Sequence, residues 1–253
     1  MKLFSKVIGQ GQPLLIIHGL FGMSDNWQSL AKQFAAFFEV HLIDLPNHGR
    51  SYHTDEFSYS QMSEDIKAYI SDSNLENVII IGHSLGGKLA MQLAVTEPQL
   101  ISKLIVVDIS PRFYPIHHDK IIEGLQSLDF SALKSRSEAE AVLSRYIEEN
   151  DVRQFLLKSM YWKEKGVLDF RFNLGAISAN IANVGEALIE GALFEKPTLF
   201  LKGENSNYIN DDDEDLIFTH FPNADIENIE NSGHWLHAEN PTQFFDTVIR
   251  FCI

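Results

Sequence analysis

The chain has 253 residues, 45% of them hydrophobic and 22% charged, which supplies a sizeable core and excludes a wholly disordered polypeptide. Its formal net charge of −15 repels nucleic acid and anionic membranes at long range, though a local basic patch could still receive an anionic substrate. A single cysteine, Cys252, excludes an intrachain disulfide or a cysteine-based zinc site and suits a reducing compartment.

The opening Met1–Lys6 has no long apolar stretch and no small-residue cleavage site, and no later segment reaches transmembrane length. A cytoplasmic protein without a membrane span is the expectation. Leu14–Ile17, introduced by Pro13, reads as a buried strand, and Val40–Ile43, Val78–Ile81, Leu104–Val107, Thr198–Leu201 and Ala224–Ile229 follow it. Near-continuous apolar runs of this kind suit a parallel sheet covered on both faces. Helices fit between them. Trp27, Leu30, Ala31, Phe34 and Phe38 recur at helical spacing, as do Met62, Ile66, Tyr69 and Ile70 behind a Ser58/Gln61 capping box. Asn240 caps a last helix with Pro241 at its first position. The alternation predicts an α/β fold with a mostly parallel twisted sheet flanked by helices.

Between about Arg112 and Ala192 the rhythm breaks. Lys120–Leu128, Ser137–Glu149, Val152–Met160 and Ile177–Ile189 read as helices without intervening buried strands. The division expected is a core of residues 1–111 and 193–253 with a helical lid inserted at 112–192. Phe113, Tyr114, Ile116, Met160, Tyr161, Trp162, Phe170 and Phe172 form the lid's own core, with some lining an apolar pocket. The acidic run Asp211–Asp215 reads as a solvated helix start rather than a metal site. His117-His118-Asp119 reads as a surface pair, because adjacent helical residues point to different faces.

The chemistry centres on Gly82-His83-Ser84-Leu85-Gly86, a G-x-S-x-G pattern with a strand before it and a helix after it. The turn must be tight, so Ser84 stands exposed at the sheet edge as a nucleophile; the bland alternative is a glycine-rich turn with an idle serine. A serine hydroxyl needs a base. His234 lies between the last strand and the last helix, at the same sheet edge. His237 is the rival, expected to bond locally, and His83 should point away. The oxyanion needs two N–H donors. Leu85, just after the nucleophile, and Leu20, in His18-Gly19-Leu20-Phe21-Gly22, are expected to supply them; a plain glycine turn is the alternative for the second segment. Phe21 and Trp235, beside that loop and the histidine, are the expected substrate-binding residues. Asp44–Gly49 reads as a structural turn at the rim. Arg112, Arg171 and Lys88 are candidate anion contacts, with ordinary salt bridges favoured for each.

Together these residues resemble the α/β-hydrolase superfamily over nearly the whole chain, and within it the YbfF-type esterases and their mitochondrial relatives. The phrases that carry the likeness are His18–Gly22, Asn47-His48-Gly49-Arg50-Ser51, Gly82–Lys88, Val107-Asp108-Ile109-Ser110-Pro111, Arg171-Phe172-Asn173-Leu174 and Gly233–Ala238. The resemblance implies hydrolysis of acyl esters or acyl-CoA thioesters without metal or organic cofactor. In most of that superfamily the acid of the triad sits in a Gly-x-x-Asp turn. Here the turn reads Gly203-Glu204-Asn205-Ser206. Asp108, ending the strand after the nucleophile helix, is therefore assigned to orient His234, with Glu204 and Asp211 as fallbacks. Capping the Ser110-Pro111 turn is the structural alternative for Asp108. The same triad geometry also serves lyases and perhydrolases, and a ligand-binding module could retain the pocket without turnover. Acyl group, leaving group and oligomeric state are not legible in the sequence.

Overall fold

Each apolar run becomes a strand whose alternate side chains serve opposite faces of one sheet. The computed structural model describes residues 2–116 and 118–253. In chain order these form β1 (Ser5–Gly9), β2 (Pro13–Ile17), α1 (Gln28–Phe34), β3 (Glu39–Ile43), α2 (Tyr59–Asp72), β4 (Val78–His83), α3 (Leu85–Thr96) and β5 (Ile101–Val107). Next come α4 (Asp119–Gln126), α5 (Arg136–Leu143), α6 (Asn150–Lys158), β6 (Met160–Glu164), β7 (Val167–Phe170) and α7 (Leu174–Ala179). The chain closes with β8 (Thr198–Gly203), α8 (Glu214–His220), β9 (Ala224–Ile229), α9 (Leu236–Glu239) and α10 (Pro241–Cys252).

Seven strands form a sheet in the order β1-β3-β2-β4-β5-β8-β9. β1 runs antiparallel to β3, and the other pairs are parallel. β1 escapes the sequence reading because it is a half-exposed edge whose apolar residues are only Val7 and Ile8. Leu14, Ile16, Ile79, Ile81, Ile105 and Val107 pack on Phe34, Phe244 and Val248 from α1 and α10. Their neighbours Leu15, Ile17, Ile80, Leu104 and Val106 pack on Ile66, Leu89 and Leu93 from α2 and α3. That two-residue alternation, apolar on both faces, is what a covered parallel sheet requires. Ser58 caps α2 through the Gln61 N–H at 3.2 Å, and Asn240 caps α10 through the Gln243 N–H at 3.3 Å.

The region between β5 and β8 is not purely helical. Between the helices expected over 152–160 and 177–189, a stretch with no expected strand, the chain forms the antiparallel hairpin β6–β7, with Gly166 at φ +84° in its turn. In β7 Leu168 and Phe170 point inward while Val167 stays exposed, a period of two, whereas β6 is buried only at Met160 and runs out into solvent at Trp162. The long helix expected over 177–189 is also interrupted. α7 ends at Ala179, and the side chains of Asn180 and Asn183 bond the carbonyls of Asp55 at 3.0 Å and Phe57 at 2.8 Å. Those polar anchors hold the segment against the loop before α2.

Both necks of this region are tied together. Leu188 N–H donates to the Pro111 carbonyl at 2.8 Å, and Tyr114 N–H to the Gly185 carbonyl at 2.8 Å. The buried ammonium of Lys88, on α3, donates to the carbonyls of Pro111 at 3.2 Å, Glu186 at 2.8 Å and Arg112. Among the described residues no helix is long and apolar enough to cross a membrane.

Candidate active site

Strand β4 lies inside the sheet between β2 and β5, and the chain turns sharply at its end. Ser84 occupies that turn at φ 53°, ψ −117°, a backbone conformation costly for a side-chain-bearing residue and found where a site requires it. Strand and helix pass so closely that a Cβ on Gly82 would stand 2.3 Å from the Gly86 carbonyl oxygen. Leu85 opens α3, so its N–H has no acceptor within the helix and is a candidate donor at the elbow.

The segment after β2 is fixed by two buried histidines. His48 Nε2 accepts the Phe21 N–H at 3.1 Å, and His18 Nε2 accepts the Leu45 N–H at 3.1 Å. Each ring turns Nδ1 to a carbonyl, Pro46 at 2.9 Å and Gly19 at 2.8 Å, so both are neutral and protonated on Nδ1. Burial lowers the pKa of His18 to about 4 and of His48 to about 3. With the Phe21 N–H taken, the adjoining Leu20 N–H is the candidate donor from this loop. The Asp44–Gly49 segment is a structural turn: the buried Asp44 carboxylate accepts the N–H groups of Ser24 at 2.6 Å and Arg50 at 2.8 Å.

On the other side, His234 Nδ1 meets Asp108 Oδ2 at 2.7 Å. Asp108 is fully buried, at φ 52°, where β5 ends, and its Oδ1 accepts the Gly203 N–H at 3.1 Å. The Ser206 hydroxyl donates to the same Oδ2 that His234 uses. With Nδ1–H given to the carboxylate, Nε2 of His234 is left as the basic atom. The His234 loop runs tight against β8; a Cβ on Gly203 would lie 2.2 Å from the Gly233 carbonyl oxygen. Tyr208 stacks on the imidazole with ring centroids 4.0 Å apart, and His83 Nε2 bonds the His234 carbonyl at 2.8 Å. His83, expected to point away, thus braces the loop. Burial holds its pKa well below the ordinary value, so the ring is a neutral donor.

The fallback acids lie elsewhere. Glu204 accepts the Asn231 N–H at 2.7 Å, and Asp211 is exposed, 3.6 Å from the Lys202 ammonium. His237 is buried, stacked on Trp27 at 4.0 Å. The solvated reading of Asp211–Asp215 fails at Asp213, which is buried, pairs with Arg112 at 3.0 Å and accepts the Ser110 hydroxyl at 2.9 Å. Of the candidate anion contacts, Arg112 is committed to that pair, Arg171 lies over the Tyr161 ring at 4.2 Å, and Lys88 serves the necks.

Ser84, His234, Leu20, Phe21 and Trp235 border one cavity of about 380 Å³, within the range of small-molecule sites. Its far wall comes from the region between β5 and β8, through Val152, Phe155 and Leu156. His118 and Lys120 also border it, so His118 is a cavity residue rather than a surface one, while His117 lies outside the described residues.

Residues 12–131 match the family described as alpha/beta hydrolase fold. A Haemophilus influenzae protein named as an esterase/lipase is 41% identical, over 94% of this chain and 82% of its own length. The chain belongs to the α/β-hydrolase family. The Escherichia coli esterase YbfF is 32% identical to this hydrolase over 94% of the chain and 92% of its own length. A solved esterase from a marine microorganism superposes with a TM-score of 0.95 at 45% identity, covering 99% of both chains. The hydrolase thus has relatives named as esterases, and the YbfF resemblance read from its motifs holds.

Sequence reasoning missed three supports of this hydrolase's site. Ser206 carried a signal: a hydroxyl stands where the usual turn has its carboxylate. His48 lay in a phrase read only as a turn. Tyr208 carried none, because its stacking on His234 depends on how the loop after β8 folds back.

Proposed function

We propose that this hydrolase is a serine esterase that cleaves acyl esters or thioesters through an acyl-enzyme on Ser84. His234 takes the Ser84 proton, Asp108 fixes the imidazole and stabilises its protonated form, and the N–H groups of Leu20 and Leu85 hold the oxyanion. Residues 112–192 act as a lid whose inner wall, with Phe21 and Trp235, lines the substrate cavity. The substrate is a small acyl ester or thioester; the acidic surface disfavours nucleic acid, and the lone, buried Cys252 favours a reducing, cytoplasmic setting. The carrying observation is the 2.7 Å contact of His234 Nδ1 with Asp108 Oδ2, on a histidine that shares its cavity with Ser84 at a strained elbow.

Ser84→Ala tests the reading. Turnover of p-nitrophenyl acyl esters and labelling by a fluorophosphonate should both vanish while the circular-dichroism spectrum and thermal midpoint persist. A variant that keeps the wild-type rate rejects the assignment.

A further inference from the structure

Two hollows of unequal size meet at Ser84. The larger, of about 380 Å³, runs past His234 and Trp235 to Val152 and Phe155. The smaller, of about 30 Å³, lies between Leu85, Ile109, Tyr59 and Val184. Ser84 and Leu20 border both, whereas His234 borders the larger and not the smaller.

The chemistry decides which part of a substrate enters which hollow. At the tetrahedral carbon one oxygen points to the Leu20 and Leu85 N–H groups. The leaving atom must face His234, which returns to it the proton taken from Ser84. The acyl substituent takes the remaining direction, away from the imidazole. On the reading of Ser84 and His234 given above, we infer that this enzyme selects esters of a short acyl group, about two to four carbons long, carrying a long or bulky leaving group. A water-sized group needs about 10–15 Å³, so the smaller hollow accepts only two or three carbons beyond the carbonyl. The larger has room for an extended chain, with apolar walls and Lys120 and Glu149 at its border. In the first step the Ser84 Oγ–acyl bond forms, the bond from the carbonyl carbon to the leaving oxygen or sulfur breaks, and that atom departs with the proton. Water then adds to the short acyl-enzyme, the Oγ–acyl bond breaks, and Ser84 regains a proton as the acid is released.

Two ester series with the full-length protein test this. In ethyl esters of butyric to decanoic acid, kcat/KM should fall at least about 100-fold, since a single methylene without room costs about 10–200-fold. In acetate esters of ethanol to decanol it should hold or rise. Val184→Ala, which enlarges the small hollow, should raise the hexanoyl-to-acetyl ratio about tenfold and leave the decyl-to-ethyl ratio of the acetates as it is. A wild-type preference for long acyl chains on short alcohols, or a Val184→Ala variant that shifts both ratios equally, overturns the inference while a labelled, active Ser84 keeps the esterase reading intact. Absence of both labelling and ester cleavage removes the esterase reading, and the inference with it.

Discussion

His234 and Asp108 are 126 residues apart in sequence, yet Nδ1 of one lies 2.7 Å from Oδ2 of the other. The contact exists because β5 and β9 flank β8, so the loop after β9 folds back across the ends of β8 and β5. Asp108 contributes only acceptors there, and an amide in its place turns donor groups toward Nδ1. Asp108→Asn should therefore favour the wrong imidazole tautomer and cut kcat by up to about 10⁴-fold with KM little changed. Steady-state kinetics on a short-chain p-nitrophenyl ester measures it; a near-normal kcat would move the role to another carboxylate.

Ser206 and His234 share one oxygen of that carboxylate. A carboxylate at position 206 would start from the same corner of the site, so the double variant Asp108→Asn/Ser206→Asp should recover activity that Asp108→Asn loses. The expected gain is about tenfold, which corresponds to about 1.4 kcal/mol of restored transition-state stabilisation. Ser206→Ala alone should lower kcat by about tenfold or less, since Gly203 N–H and His234 still hold the carboxylate. Failure of the double variant to exceed Asp108→Asn would show that position 206 cannot reach the imidazole.

Most of this was legible from residues whose chemistry allows few alternatives. The elbow could be read because Gly82 and Gly86 bracket Ser84 where strand gives way to helix. The central strands could be read because Val78–Ile81 and Leu104–Val107 are apolar on both faces. What escaped depends on contacts between distant segments. β1 is an edge with few apolar residues, and the β6–β7 hairpin, part of a stretch assigned to no element, is recognised only when Met160 pairs with Phe170 and Trp162 with Leu168. Asp213 looks solvated until Arg112 and Ser110 converge on it. Asp108 is preferred to Glu204 because the Gly203–Ser206 turn lacks the usual closing carboxylate and because of the family resemblance.

Four buried histidines, His18, His48, His83 and His237, give the stability a definite response to acid. Burial lowers His18 to about 4 and His48 and His237 to about 3, against 6.5 for an unhindered ring. Between pH 6.5 and about 3 the unfolded chain binds protons that the folded chain refuses, so stability is full above 6.5 and falls as pH is lowered. Protonation of His48 would also remove the acceptor for the Phe21 N–H. The thermal midpoint should decline steadily below pH 6.5, and His48→Asn, which keeps an acceptor and does not titrate, should decline less steeply. Parallel slopes for the two proteins would exclude His48 as a contributor.

Lys88 offers a separate test of the necks. Its ammonium donates to carbonyls of Pro111, Arg112 and Glu186, on both chain passages into the 112–192 region. Lys88→Met takes that donor from the Arg112 and Glu186 carbonyls, while the Pro111 carbonyl keeps the Leu188 N–H, and each hydrogen bond to a charged group lost costs about 1.5–3 kcal/mol. The variant should melt several degrees lower and be cut by protease near residues 110–114 and 184–190 before the core is attacked. Burial also lowers the Lys88 pKa from 10.5 to about 7. Over that interval the unfolded wild-type chain holds a proton that the folded one releases, so wild-type stability rises with pH while the variant lacks this contribution. The gap in thermal midpoint between them should widen from pH 7 toward pH 10. A gap that is absent, or that narrows, would mean that the necks are held by their backbone bonds and by the Arg112–Asp213 pair, without help from Lys88.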